Sequence, residues 1–146
     1  MLTENVCKEL RGKSALVTGG TGLIGRQIVN LLWAAGVNVT IVSLDHIKVH
    51  DKAEHILGDL TEFSFCKEII VDMDYVFHIA GIKGAVNLPR EKPASFIVPL
   101  LQMNTNVLEA CRLNQVEKVV FTSSIGAYAP AEVFKESEGK VGEPMD

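Results

Sequence analysis

The chain has 146 residues, of which 47% are hydrophobic and 22% are charged, and its formal net charge is −4. This composition predicts a folded domain with a substantial core. No basic block marks a nucleic-acid surface, and no uncharged run approaches the ~20 residues of a membrane span, so we expect neither nucleic acid nor a membrane as partner. The first residues lack the basic start and apolar run of a secretion signal. Three cysteines, odd in number and far apart, favour reduced thiols in the cytoplasm over disulfides or a metal site.

The apolar and glycine patterns predict strands that alternate with helices. The predicted strands cover residues 14–18, 38–43, 54–57, 75–79 and 118–122, and the predicted helices cover 23–35, 62–70 and 96–113. Gly36 is expected to end the first helix, and Thr61 is expected to cap the second. Strands separated by helices pair in parallel through right-handed crossovers. The pattern therefore predicts a doubly wound α/β sheet with ligands at the carboxyl ends of its strands.

A glycine-rich turn, Thr-Gly-Gly-Thr-Gly-Leu-Ile-Gly, joins the first strand to the first helix. We expect Gly19 to permit the tight turn, Gly22 to let the backbone approach a pyrophosphate, and Gly25 to let the helix pack closely on the sheet. Backbone N–H groups at the start of the helix favour a phosphate. The turn thus predicts a dinucleotide site with cofactor contacts from Gly19, Thr21, Gly22, Leu23, Ile24 and Gly25.

A mononucleotide P-loop is the alternative interpretation of this turn. The glycine spacing from Gly20 to Gly25 would fit, but Arg26 and Gln27 stand where the motif requires lysine and then serine or threonine. The phosphate-binding lysine and the magnesium-binding hydroxyl are both missing, so we reject that interpretation.

The end of the second strand indicates which dinucleotide binds. An acidic residue there accepts a hydrogen bond from the ribose 2′-hydroxyl, whereas an arginine accommodates a 2′-phosphate. The usual acidic position falls on Ser43, and Asp45 follows about 20 residues after Gly25, as is typical of the motif. No arginine lies nearby, although Lys48 does. We predict NAD with Asp45 as a cofactor contact, and keep NADP, with Asp45 as a loop residue, as the alternative.

Together these motifs resemble the extended short-chain dehydrogenase/reductase family of the NAD-dependent epimerase/dehydratase type, from about Lys13 onwards. The other matching stretches are Gly58-Asp59-Leu60-Thr61, His78-Ile79-Ala80-Gly81-Ile82-Lys83 and Phe121-Thr122-Ser123-Ser124. The Ala-Gly-x-Lys run resembles UDP-galactose 4-epimerases, and the Lys83-Gly84 and Tyr128-Ala129-Pro130 segments also resemble GDP-fucose synthases. The resemblance implies a Rossmann fold, NAD or NADP as cofactor, and hydride transfer to or from a carbon of a nucleotide sugar.

The resemblance also implies roles for individual residues. Asp59 would accept a hydrogen bond from the adenine amino group, and Lys83 would reach a phosphate or the nicotinamide ribose. Asp59 is also explained as a turn aspartate, and Lys83 as a solvated surface lysine. His78 is interpreted as a buried strand residue with a satisfied ring, not as a catalytic base. The cofactor contacts implied in these stretches are Asp59, Leu60, Ile79, Ala80, Gly81, Lys83 and Thr122.

The family's catalysis combines a serine after the fifth strand with a Tyr-x-x-x-Lys pair, and Ser124 matches the serine. The residues four positions after Tyr75 and Tyr128 are Ile79 and Glu132, so neither tyrosine forms the pair. We therefore expect residues 1–146 to form one truncated dinucleotide-binding domain, without a substrate domain and without turnover of its own. The alternative is a non-catalytic dinucleotide-binding or redox-sensing module.

The helix before the fifth strand carries two further expectations. An ungapped match to the family places Leu100 at the position of a family asparagine, with Asn104 one turn later. Asn104 and Asn106 are equally well explained as polar helix positions. The resemblance implies a homodimer formed through this helix. We accordingly expect an exposed apolar surface, made of Ile97, Leu101, Val107 and Leu108.

Overall fold

The computed structural model describes residues 3–82, 88–124, 128–129, 132–135 and 137. Strands and helices alternate along this part of the chain after a first short helix. In chain order the elements are α1 (Glu4–Leu10), β1 (Ser14–Thr18), α2 (Leu23–Ala34), β2 (Asn38–Ser43), β3 (Glu54–Leu57), α3 (Phe63–Ile69), β4 (Tyr75–His78), α4 (Leu88–Glu91), α5 (Pro93–Leu113) and β5 (Lys118–Phe121). None of the helices in these described ranges is long and apolar enough to cross a membrane.

The five strands form one parallel sheet in the order β3-β2-β1-β4-β5. The chain winds outward from β1 to β3 and then returns to place β4 on the other side of β1. Val17 of β1 is paired in register with Ile41 of β2 and with Phe77 of β4. This reversal confirms the predicted doubly wound sheet, and it opens a crevice at the carboxyl ends of β1 and β4.

The core consists of two apolar layers, one on each face of the sheet. Successive residues of a strand point to opposite faces. Leu16 accordingly packs with the α3 and α5 layer, whereas Ala15 and Val17 pack with the layer that contains Val29 of α2. Helices thus cover both faces, as a parallel sheet requires.

The buried side of α2 agrees in part with the sequence pattern. The helical spacing of Ile24, Ile28, Leu31, Leu32 and Ala35 predicts an apolar face made of these residues. Leu32 and Ala35 are buried and Ile28 packs against the core, as this pattern predicts, but Ile24 is 57% exposed and Leu31 is 43% exposed, and Gly25 and Val29 are buried in their place. Gly25 lies directly against the backbone of the glycine turn, and this contact sets which side of the helix faces the sheet. The helix ends at Ala34, and Gly36, with φ +83°, follows as predicted.

Several predicted boundaries are also corrected. Helix α1 was not predicted, and its Cys7 and Leu10 pack against the α2 layer. Glu62, not Thr61, is the N-cap of α3, and no side chain caps it. Helix α5 begins at Pro93, three residues before the predicted start, because a proline at the first helical position loses no intrahelical hydrogen bond. Strands β4 and β5 are each one residue shorter than predicted.

Candidate functional site

A cavity of about 740 Å³ opens at the carboxyl ends of the strands, where the sheet order reverses. The predicted cofactor residues that line it are Gly19, Thr21, Gly22, Leu23, Ile24, Gly25, Asp45, Asp59, Leu60, Ile79, Ala80 and Gly81. Sequence reasoning did not assign a cofactor role to the other lining residues, Val42, Ser43, Leu44, Ile47, Gly58, Thr61, Ile82 and Met103. The fold therefore brings most of the predicted site residues together around one space.

The glycine turn lies close to the backbone that directly follows β4. Gly19 has a φ of +66°, and a Cβ atom there would lie 2.8 Å from Cα of Ala80. A side chain at position 19 would thus be strained and would also collide with the neighbouring strand end. The turn closes through a hydrogen bond of 3.0 Å from the N–H of Gly22 to the carbonyl of Gly19. Gly19 therefore has the conformation that its predicted role requires.

Gly25 permits a second close contact, between α2 and the turn itself. A Cβ atom at position 25 would collide with the carbonyl oxygen of Gly19 and would lie 2.8 Å from Cα of Gly20. The sequence predicted close packing on the sheet, whereas the nearest contact is with the turn backbone. This packing aims the first turn of α2, whose N–H groups have no intrahelical acceptor, at the cavity.

Arg26 fixes the turn from the outside. Its Nη2 donates to the carbonyl of Thr21 at 2.7 Å, and its Nε donates to the carbonyl of Gly22 at 3.3 Å. Arg26, which argued against a P-loop in the sequence, therefore stabilises the turn, because its guanidinium donates hydrogen bonds to two carbonyls of the turn.

Asp45 is tied to the glycine turn. The Thr21 hydroxyl donates to Oδ2 of Asp45 at 3.0 Å, and the backbone N–H of Ile47 donates to Oδ1 at 3.0 Å. These bonds, chiefly that from Ile47, hold the pKa of Asp45 below its usual value of 3.8. The carboxylate is therefore ionised at neutral pH and keeps further lone pairs with which to accept a hydrogen bond.

Ser43, at the usual acidic position, is engaged elsewhere. Its hydroxyl donates to the carbonyl of Asp45 at 2.8 Å and lies 2.6 Å from Nε2 of His55. Because a serine hydroxyl has one hydrogen, the short contact to His55 requires the Nε2–H of that ring to donate. Ser43 is buried, so these bonds fix the backbone from which Asp45 projects.

Asp59 lines the cavity and also stabilises its own loop. Its Oδ1 accepts a hydrogen bond of 2.9 Å from the N–H of Thr61. This is the turn geometry that the sequence offered as the alternative to adenine binding. The two descriptions are compatible, since a carboxylate has more acceptor positions than this one bond uses.

A buried network joins β1, β4 and α5. The Thr18 hydroxyl lies 2.7 Å from Nδ1 of His78, and its oxygen accepts from the N–H groups of Ile79 and Ala80, each at 3.2 Å. Nε2 of His78 lies 3.0 Å from Oδ1 of Asn104. His78 is 1% exposed, and burial lowers its pKa below 6.5. The ring is thus neutral and satisfied, which confirms the interpretation of His78 as a packed strand residue.

The predicted residues after β5 do not line the cavity. The Thr122 hydroxyl donates to the carbonyl of His78 at 3.4 Å, which places Thr122 beside the end of β4. Thr122 and Ser124 are both exposed. Lys83 and Gly84 lie outside the described residues. Within the described ranges, no group of three or more metal-ligating side chains comes together.

Comparisons with known proteins agree with this geometry. A family model described as "NAD dependent epimerase/dehydratase family" matches residues 15–145. Anthocyanidin reductase ((2S)-flavan-3-ol-forming) from Vitis vinifera is 34% identical over an alignment of 131 positions that covers 79% of this chain and 37% of that protein.

Solved structures give the same result. UDP-N-acetylglucosamine 4-epimerase from Methanobrevibacter ruminantium M1, in complex with UDP-N-acetylmuramic acid, superposes with a TM-score of 0.74 at 32% identity, over 88% of this chain and 44% of that one. UDP-glucose 4-epimerase from Brucella ovis, in complex with NAD, superposes with a TM-score of 0.76 at 26% identity, over 87% and 41%. The match thus covers less than half the length of each of these proteins.

Proposed function

Because the chain belongs to the NAD dependent epimerase/dehydratase family, we propose that residues 1–146 are the dinucleotide-binding portion of a nucleotide-sugar epimerase, dehydratase or reductase. The observation that carries this proposal is the position of Gly25, where any side chain would collide with the Gly19 carbonyl. The close packing that results presents the first turn of α2 to the cavity, and that arrangement suits a pyrophosphate.

The cavity lining supports one orientation of the dinucleotide. Asp59 and Leu60 would contact the adenine, and Asp45 would accept from the hydroxyls of its ribose. The pyrophosphate would lie against Gly22 and the N–H groups that follow it. Ile79, Ala80 and Gly81 would then border the nicotinamide half of the cofactor. Lys83, which lies outside the described residues, is proposed as a contact only from the family resemblance. When bound, the cofactor supplies hydride chemistry, and the residues named here bind and orient it.

We propose NAD as the preferred cofactor, with NADP as the alternative. Asp45 is held ionised by Thr21 and Ile47, and its charge would repel a 2′-phosphate. Lys48, a cation of the loop that also carries Asp45, is paired with Asp51 at 2.7 Å in an exposed position. A solved relative in this family, the Brucella ovis epimerase, is complexed with NAD, which supports the same choice.

The nucleotide-sugar substrate is proposed from the relatives whose printed names include UDP-linked sugars. The similarity to a plant anthocyanidin reductase keeps a reductase of another substrate class as the alternative. Ser124 is the proposed catalytic hydroxyl, and its exposure leaves it accessible to a substrate. Its role would be to orient the reacting oxygen by a hydrogen bond.

A non-catalytic dinucleotide-binding module is the second candidate function, and the position of Tyr75 favours it. The Tyr75 hydroxyl donates to Glu117 at 3.2 Å, in a cluster with Lys13 and Asp74 at the amino ends of the strands. That is the sheet edge opposite the cavity, so Tyr75 cannot serve as the catalytic acid or base. The chain contains no Tyr-x-x-x-Lys pair.

We further propose a homodimer formed through α5 and a cytoplasmic setting. Ile97, Leu101 and Leu108 expose apolar surface along one side of α5, which a second copy of the chain would cover. Val107, predicted with them, is fully buried in the core instead. The cytoplasmic setting is supported by the three free thiols, of which those of Cys66 and Cys111 are buried.

The proposal is tested by isothermal titration calorimetry of the purified, folded chain with NAD⁺, NADH, NADP⁺ and NADPH. We expect saturable binding of NAD(H), with NADP(H) binding more weakly. A matched variant, Gly25→Ala, should lose that binding. Absence of binding to all four dinucleotides by folded protein, checked by circular dichroism, would contradict the proposed function.

A further inference from the structure

Asn106 of α5 ties down the loop between β3 and α3. Its Nδ2 lies 3.1 Å from the carbonyl oxygen of Leu60 and 2.8 Å from that of Thr61, so one amide group donates to two successive carbonyls. The thiol of Cys66 donates to the same Leu60 carbonyl at 3.3 Å. The loop that carries Asp59 to the cavity is therefore held by α5 as well as by its own turn.

Asn104 of the same helix holds a different wall of the cavity. Its Oδ1 accepts from Nε2 of His78 at 3.0 Å, and Nδ1 of His78 accepts from the Thr18 hydroxyl at 2.7 Å. The Thr18 oxygen in turn accepts from the N–H groups of Ile79 and Ala80. An uninterrupted chain of hydrogen bonds thus runs from α5 to the end of β4.

The geometry of a helix explains how two residues so close in sequence reach two separate walls. Met103 and Val107 are one turn apart and form the buried side of α5. Each residue advances by about 100° around the axis, so Asn104 and Asn106 flank that buried side on its two edges. Met103 itself lines the cavity between them.

We propose that Asn104 and Asn106 are positioning residues for the dinucleotide, and this inference assumes the function proposed above. Asn106 places the Asp59 loop for the adenine half. Asn104, acting through His78 and Thr18, places the Ile79–Ala80 backbone for the nicotinamide half. Because both side chains project from one continuous helix, the spacing between the two walls of the cavity is fixed by a single rigid element.

Substitutions can separate the two roles. Asn106→Asp keeps the shape of the side chain and removes both donors, whereas Asn106→Gln keeps an amide. Asn104→Leu keeps the approximate volume and removes the acceptor for His78. The matched control is Asn114→Ala, because Asn114 ends the same helix and donates to the carbonyls of Ala110 and Lys67, outside the cavity lining.

The first measurement is affinity for NAD⁺ and for AMP, which carries the adenine half alone. We expect Asn106→Asp to weaken both by the same factor, about tenfold, as the loss of such hydrogen bonds implies. Asn104→Leu should weaken NAD⁺ binding similarly and leave AMP binding within about twofold. Asn106→Gln should bind AMP more tightly than Asn106→Asp, and Asn114→Ala should bind both ligands as the wild type does.

The second measurement needs no ligand and covers variants of low stability. Amide hydrogen exchange should accelerate at residues 59–62 in Asn106→Asp and at residues 79–81 in Asn104→Leu, with no change at either place in Asn114→Ala. Uniform acceleration of exchange along the chain would overturn the inference. An Asn104→Leu variant that loses as much affinity for AMP as for NAD⁺ would overturn it as well. A folded wild type that binds neither ligand overturns the proposed function and this inference together. Wild-type binding with variants that match Asn114→Ala overturns this inference alone.

Discussion

The Thr18 hydroxyl donates its hydrogen to Nδ1 of His78 over 2.7 Å. The assignment follows because the Thr18 oxygen already accepts from the N–H groups of Ile79 and Ala80. Nδ1 is therefore unprotonated, and Nε2–H donates to Asn104. The position of the Ile79–Ala80 backbone, which borders the cavity, therefore depends on His78 being neutral, since a protonated Nδ1 could not accept from Thr18.

The first prediction concerns pH. Burial lowers the pKa of His78 in the folded protein below its usual 6.5, so the unfolded chain binds more protons as the pH falls through that value. The unfolding free energy should therefore fall as the pH is lowered from 7.5 to 5.5. Urea unfolding across this range measures the slope, and His78→Asn should make it shallower.

The control for His78 is His46→Asn, since His46 is exposed in the loop after β2. This variant should keep the wild-type slope. An unchanged slope in His78→Asn would contradict the neutral, buried state described for that ring.

The second prediction concerns Gly25. Gly25→Ala places a methyl group against the Gly19 carbonyl, and we expect the variant to be less stable by about 2 kcal/mol, because overpacking outweighs the gain in helix propensity. Binding of NADH should be lost as the turn is displaced. Thermal unfolding and NADH fluorescence titration measure the two effects.

Gly81→Ala is the matched control for stability, because among the described residues beyond its two chain neighbours no atom lies within 4 Å of a Cβ atom at position 81. We expect its stability to change by less than about 0.5 kcal/mol. Equal destabilisation by the two alanines would show that the close contact at Gly25 is unimportant.

The third prediction concerns Asp45 and the choice of dinucleotide. Asp45→Ala removes the acceptor proposed for the ribose 2′-hydroxyl and the charge that would repel a 2′-phosphate. NADH affinity should fall about tenfold, and NADPH affinity should fall less or rise. Glu68→Ala removes one negative charge from the exposed side of α3, outside the cavity lining, and should alter neither affinity. A wild type that prefers NADPH would contradict the assignment.

The fourth prediction concerns the exposed side of α5. Ile97, Leu101 and Leu108 lie on one side of the helix, and Leu101 is 54% exposed. We expect the chain to self-associate in sedimentation equilibrium, and Leu101→Lys to raise the dissociation constant at least about tenfold. Leu113→Lys, on another side of the same helix, should have little effect. A stable wild-type monomer at high concentration would argue against this interface.

The fifth prediction concerns turnover. Neither tyrosine is followed by lysine at the fourth position, so the chain lacks the group that would exchange a proton with the substrate hydroxyl. The 146-residue chain incubated with NAD⁺ and UDP-glucose should form no epimer, as followed by chromatography of the nucleotide sugars. Measurable conversion by pure chain would show that another group takes this role.

Local sequence determined the architecture. The strands of the sheet could be located because β-branched and apolar runs are bounded by glycine and polar residues. The glycine turn could be identified because the conformational freedom of glycine belongs to the residue itself, and the spacing of the glycines can be seen in the sequence. Most of the predicted cofactor residues line the cavity because the carboxyl ends of parallel strands meet at one edge of the sheet, and these residues follow those strand ends in the sequence.

Tertiary structure decided what depends on contacts between distant segments. The rotation of α2 follows from the Gly25–Gly19 contact, and Val107 is buried because α5 packs on the sheet by that side. The roles of Asn104 and Asn106 were ambiguous in the sequence, because the sequence does not show which group a polar residue on a helix bonds to. Their hydrogen bonds reach β4 and the β3–α3 loop, and only the folded chain brings these groups within bonding distance.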